Sequence, residues 1–208
     1  IPDYKLNYVI KYCKDHNIEI VGLHSHRGSG INDITNWMKT ITKLMSYTCI
    51  LNLKWINLGG GFGTQLLKED FIKLNKFLEN FEAYNIKIYI EPGRYIVSEA
   101  GVLVSRVNQI KVKDNVKYIG IEAGMNSLIR PALYDAYHNI VNISNLNGEK
   151  EICTIVGPIC ESGDIFGKDR ELNKVEIDDI LLIEHAGAYG YTMSSYYNMR
   201  EPAKEVIL

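Results

Sequence analysis

The chain has 208 residues, enough for one large domain or two modest ones but too few for a complete (β/α)8 barrel of about 250 residues with anything further. Apolar residues make up 46% and charged residues 23%, and 23 Lys and Arg against 25 Asp and Glu leave a net charge of −2. That balance gives no support to broad attraction for nucleic acid or an anionic membrane, while the apolar share suffices for a sizeable core at this length.

Residues 4–15 are helix-like, and 18–23 form a short β-branched run ending at His24. Ile34, Trp37, Met38, Ile41, Leu44 and Met45 recur at helical spacing, which predicts a helix over 32–47. A brief strand over 54–58 runs into Gly59-Gly60-Gly61, a helix follows over 69–84, and a strand over 86–90 ends in Glu91-Pro92-Gly93-Arg94. This alternation predicts right-handed parallel βαβ units with polar motifs at the carboxyl ends of their strands, where α/β folds place ligands. After residue 100 the texture changes. Strands are predicted over 102–113, 116–122, 139–144, 151–156 and 179–184 without regular helices between them, which reads as an antiparallel all-β domain. The expected division is therefore 1–100 and 101–208.

No apolar run approaches the roughly 18 residues of a membrane span. The first residue is Ile, so this end says nothing about a targeting segment. Cys13, Cys49, Cys153 and Cys160 form no CxxC pair, which suggests free thiols in a reducing compartment, the cytoplasm.

Four motifs can carry chemistry. Gly59-Gly60-Gly61-Phe62-Gly63 follows a strand and precedes a helix, so its amides and the helix N-terminus could hold a phosphate; a tight βα turn would use the same residues. Its spacing is neither GxGxxG nor GxxxxGK[ST]. His24 and His26 alternate onto one strand face, where they could bind zinc in a hydrolase, pack a flat imidazole on a planar cofactor, or simply be hydrogen-bonded structural residues. Glu91, fixed by Pro92, could pair with a protonated ring nitrogen, worth about 5 kcal/mol at 3 Å in a dielectric near 20, or form an internal ion pair with Arg94. Cys160-Glu161-Ser162-Gly163-Asp164 brings together a thiol and two acids, where a proton donor and an ammonium-binding carboxylate could stand.

LHSHRGSGI (23–31), NLGGGFG (57–63), EPGRYIVSEAG (91–101), GMNSLIRPALYDAYH (124–138), VGPICESGD (156–164) and AGAYGYTMSSYYNMREPAKEV (186–206) occur in this order. Together they resemble the pyridoxal-phosphate-dependent decarboxylases of the alanine-racemase-like fold type, nearest to the members that act on meso-2,6-diaminopimelate. The fold this implies is the C-terminal half of a cofactor-binding (β/α)8 TIM barrel followed by an antiparallel β-sandwich or Greek-key barrel. By the resemblance, His26 lies against the ring of pyridoxal 5'-phosphate, and Ser29 with Gly59, Gly60 and Gly61 holds its phosphate. Glu91 meets the ring nitrogen, with Gly93 and Arg94 beside it, and Tyr189 touches cofactor and substrate. Arg94, Arg130 and Tyr134 grip the distal carboxylate of the substrate, Glu161 takes its distal ammonium, and Cys160 is the catalytic proton donor. The implied reaction yields L-lysine and CO2, and the implied assembly is a homodimer whose Cys-Glu turn serves the partner's site. No metal is implied, nor any nucleic-acid or membrane partner.

Two departures matter. The family's Schiff-base lysine lies in a YAxKA-like segment that nothing here resembles, so the chain is expected to be a carboxyl-terminal fragment, inactive alone. Arg27, Gly30 and Ser127 depart from the commoner pattern toward the branch fused to aspartate kinase. The competing readings are a related ornithine- or arginine-type decarboxylase, a non-catalytic homologue, and a zinc hydrolase built on His24 and His26.

Overall fold

A computed structural model describes all 208 residues. They divide into two compact units, Ile1–Tyr95 and Ile96–Leu208.

In the first unit α1 (Leu6–Asp15) precedes β1 (Gly22–His24), α2 (Thr35–Met45), β2 (Trp55–Asn57), α3 (Lys68–Leu78), β3 (Lys87–Tyr89) and the short α4 (Gly93–Val97), which runs across the division. The three strands pair in parallel in the order β1-β2-β3. Helices α2 and α3 form because their apolar residues fall on one stripe. Trp37, Ile41, Leu44 and Met45 of α2 and Leu74 of α3 bury against Ile56 and Leu58 of the second strand and its end. Trp37 stacks on Phe62 with ring centroids 4.1 Å apart, which ties the chain beyond the triple glycine to α2. Half a barrel would hold four strands, and three are present. Ninety-five residues at roughly 30 per βα unit allow no more.

The second unit contains β4 (Leu103–Lys113), β5 (Val116–Ile121), α5 (Arg130–Tyr134), β6 (Ile140–Asn142), β7 (Lys150–Val156), β8 (Ile165–Asn173) and β9 (Ile180–Ile183). These strands make a single sheet in the order β6-β9-β4-β5-β7-β8. The expected all-antiparallel arrangement is corrected at one pairing, since β5 and β7 run parallel, with Ile119 opposite Ile155. The crossover through α5 and β6 is long enough to return the chain in the same direction. Of the expected sandwich or Greek-key barrel, the second unit takes a barrel-like form, one mixed sheet whose edges nearly meet. Asn142 Nδ2 donates to the Lys174 carbonyl at 3.0 Å, and Asn173 Nδ2 to the Asn145 carbonyl at 2.7 Å. Val107, Ile119, Ile121, Leu128, Ile155, Leu181 and Ile183 fill its core.

Candidate active site

The polar residues of the first unit gather where its strands end. Parallel strands put their carboxyl ends on one edge, and alternation sends the register partners His24, Asn57 and Tyr89 to one face while Leu23, Ile56 and Ile88 pack toward the helices. Asn57 Nδ2 donates to Glu91 Oε1 at 2.8 Å, and Asn57 Oδ1 accepts the Gly59 N–H at 2.8 Å. His24 Nε2 lies 3.6 Å from the same Glu91 oxygen. The Glu91 N–H donates to the Gly59 carbonyl at 2.9 Å. The Glu91 carboxyl therefore stands beside the triple-glycine bend, with 54% of its side chain exposed to meet a ligand.

The glycines let three backbones converge. Gly61 has φ +90°, and a Cβ there would sit on the Gly28 carbonyl oxygen; a Cβ on Gly60 would come within 2.5 Å of the Glu91 carbonyl oxygen. The bend is thus a requirement of loop packing whatever it binds. The expectation that a helix N-terminus adds positive potential there is corrected. Helix α3 begins only at Lys68, and its first-turn Asp70 accepts the Leu67 N–H at 3.0 Å. What remains at the bend is its backbone.

His26 Nδ1 lies 3.2 Å from the Gly60 N–H, which donates to it. Strand β1 stops at His24, so the two histidines turn to different partners, and no group of three or more His, Cys, Asp or Glu side chains is arranged to hold a metal. The zinc alternative is left without a third ligand. Arg94 Nη2 donates to Ser29 Oγ at 3.0 Å, which places a guanidinium and a hydroxyl side by side across 65 residues of sequence. Gly93 opens α4 on an exposed backbone.

In the second unit the turn over 157–164 is held from inside. Asp164 is buried; its Oδ2 accepts the Ile159 N–H at 2.7 Å and its Oδ1 the Met125 N–H at 2.7 Å. Burial pushes its carboxyl above the usual range against those bonds. Asp164 therefore builds the turn and is no ligand-facing acid. Cys160 and Glu161 project from it, exposed. The Gly163 N–H foremost, with the Ser162 and Tyr197 hydroxyls, holds the Glu161 carboxyl below the usual range. Tyr197 Oη stands 3.3 Å from Glu161 Oε2, and the Glu161 charge pushes that phenol upward. Arg130 opens α5 and is nearly buried, its Nη1 lying 3.0 Å from His138 Nε2, whereas Tyr134 at the other end of α5 is exposed. Tyr189 is half-exposed at φ +66°, uncommon for a bulky side chain.

Reasoning from sequence did not single out Asn57, His138 or Tyr197. Each lies inside a motif quoted for the resemblance; for Asn57 the available signal was a polar residue closing a strand two positions before the glycines.

A parallel α/β unit with acid, imidazole and guanidinium groups gathered at its strand ends, continued in sequence by a β unit with an exposed Cys-Glu turn, defines a protein of the α/β-plus-β class. Residues 32–187 match the model of the pyridoxal-dependent decarboxylase C-terminal sheet domain. The chain belongs to the pyridoxal-dependent decarboxylases. It is 41% identical over 205 residues to diaminopimelate decarboxylase of Aquifex aeolicus, covering 92% of this chain and 48% of that one. It is 38% identical to the enzyme of the same name from Methanocaldococcus jannaschii, covering 91% and 47%. The crystal structure of the diaminopimelate decarboxylase from M. jannaschii in complex with L-lysine superposes with a TM-score of 0.82 at 35% identity, covering 93% of this chain and 49% of that one. An arginine decarboxylase of Paramecium bursaria Chlorella virus reaches 0.83 at 18% identity, covering 94% of this chain and 57% of that one, and so shares the fold. The chain spans about half the length of the curated relatives it matches.

Proposed function

We propose that this chain supplies cofactor- and substrate-binding residues to a pyridoxal-phosphate-dependent enzyme that converts meso-2,6-diaminopimelate to L-lysine and CO2. The observation that carries this reading is the Glu91 carboxyl, held by Asn57 beside the Gly59–Gly61 bend. The donor chemistry of the first unit fits such a cofactor. A carboxylate is available for a pyridine nitrogen, an imidazole for the ring face, and the Ser29–Arg94 pair with neighbouring backbone for a phosphate.

Pyridoxal phosphate, when bound, supplies an electron sink for the charge left by departing CO2. Glu91 would face the ring nitrogen and favour its protonated form, an attraction worth about 5 kcal/mol at contact in a dielectric near 20. His26 would pack on the ring, and Ser29, Gly59, Gly60 and Gly61 would hold the phosphate, with Gly93 and Arg94 at the same strand end. Arg94, Arg130 and Tyr134 bind the distal carboxylate of the substrate, and Glu161 its distal ammonium, so that the scissile carboxylate is oriented without being held. Cys160 delivers a proton from Sγ to the α-carbon, and Tyr189 borders cofactor and substrate. A substrate without the distal carboxylate forgoes the charge-assisted contacts of Arg94 and Arg130, which is the source of selectivity. The first unit is read as part of a (β/α)8 barrel, with 101–208 as the C-terminal β domain. The assembly is read as a cytoplasmic homodimer in which the Cys160–Glu161 turn serves the partner's site.

The test uses the full-length protein. Stoichiometric release of CO2 and L-lysine from meso-2,6-diaminopimelate is the expected result, and turnover of ornithine or arginine in its place overturns the substrate assignment. Cys160→Ala should lower kcat by about 100-fold or more with cofactor retained.

A further inference from the structure

His138 is wholly buried and bonded at both ring nitrogens. Nδ1 lies 2.8 Å from the Glu184 carbonyl oxygen, and Nε2 lies 3.0 Å from Arg130 Nη1. Hydrogen-bond chemistry then fixes the proton. A guanidinium only donates and a carbonyl oxygen only accepts, so Nε2 must present its lone pair to Arg130 and Nδ1 must carry the hydrogen given to Glu184. A second proton on the ring would set N–H against N–H.

We propose that His138 is a positioning residue for Arg130: a neutral acceptor, locked in its Nδ1–H form by the Glu184 carbonyl, that sets the direction of the guanidinium. The consequence for catalysis rests on the proposed contact of Arg130 with the distal carboxylate; the locked tautomer rests on the distances alone. The surroundings agree. The charged groups that face the imidazole are Arg130 from α5, Arg170 from β8 and His185 following β9, all cationic or able to become so. The nearby Glu184 carboxylate is engaged by Asn139 Nδ2 at 3.1 Å. Burial foremost, and then these cations, push the imidazole below its ordinary value, while the Glu184 carbonyl opposes them. An imidazole used merely as core filling would need no acceptor aimed at a guanidinium.

Two measurements on the full-length, cofactor-loaded protein decide the matter. Neutron diffraction near neutral pH should find deuterium on His138 Nδ1 and none on Nε2. Deuterium on Nε2 overturns the proposal regardless of substrate. In kinetics, His138→Phe keeps ring volume without the acceptor, and His138→Gln restores an acceptor oxygen. His138→Phe should raise KM for meso-2,6-diaminopimelate by about tenfold with kcat changed by less than about threefold, and His138→Gln should recover most of that loss. The slow turnover of a substrate lacking the distal carboxylate should not change. Equal losses on both substrates, or no difference between the two variants, overturn the positioning role. If His138→Phe does not fold, the comparison of His138→Gln with the unaltered protein on the two substrates carries the kinetic arm. The expected neutron result in a protein that does not process diaminopimelate would contradict the functional reading and leave the locked tautomer standing.

Discussion

Asn57 grips both sides of the candidate cofactor site, giving its Nδ2 hydrogen to Glu91 Oε1 at 2.8 Å while its Oδ1 accepts the Gly59 N–H at 2.8 Å. One side chain thereby fixes the carboxyl relative to the glycine bend. Asn57→Leu removes both bonds and leaves the Gly59 amide unpaired in a buried position. A hydrogen bond to a charged group is worth about 1.5–3 kcal/mol. The apparent Kd for pyridoxal phosphate, titrated by absorbance on the full-length protein, should rise about ten- to a hundredfold. An unchanged Kd would separate Asn57 from the cofactor.

Asp164 is the internal support of the Cys160–Glu161 turn. Asp164→Ala removes the side-chain acceptor of the Ile159 and Met125 amides. The cost should be about 2–4 kcal/mol, seen as a lower midpoint in chemical unfolding. Because the turn carries the proposed proton donor, kcat should fall as well even where the protein remains folded.

The three parallel strands were readable in the sequence because each is a short apolar run meeting a glycine, histidine or Glu-Pro-Gly stop. β8 was not, since Ile165–Asn173 carries Lys168, Asp169, Arg170 and Glu171. Charges of that kind protect an edge strand, and β8 pairs with β7 alone. The parallel pairing of β5 with β7 depends on contacts between residues more than thirty positions apart, which local patterning does not encode. Glu91 could be placed near the glycines by topology, because both close neighbouring strands. The grip of Asn57 could not, for it depends on the register of His24 with Asn57 and on which way one amide turns. Burial of Arg130 against His138 was hidden for the opposite reason: an arginine in a motif reads as a ligand-facing group, and only packing shows what lies behind it.

A pH dependence follows from His138. Its imidazole is pushed below its ordinary value of 6.5, chiefly by burial. A depressed folded value means that its contribution to stability is complete above the unfolded value and declines as pH falls from about 6.5 toward the lowered one. Thermal midpoints of the full-length protein measured between pH 5 and pH 8 should show this loss on the acid side, and His138→Gln should flatten that part of the profile. Parallel profiles would contradict the assignment.

Tyr197 contacts the Glu161 carboxylate from solvent, at 3.3 Å. Tyr197→Phe should leave the unfolding midpoint in place, since the hydroxyl is exposed. KM for meso-2,6-diaminopimelate should rise a few-fold with little change in kcat, because Glu161 keeps its Gly163 and Ser162 partners. A large fall in kcat would instead place the phenol in the proton-transfer step.

A crystal structure of the full-length protein soaked with pyridoxal phosphate puts the whole reading at risk. The pyridine nitrogen should lie within hydrogen-bond distance of the Glu91 carboxylate, with the phosphate against Ser29 and the Gly59–Gly61 backbone. A ring bound elsewhere, or Glu91 turned to His24 with its carboxylate away from the ring, would contradict it.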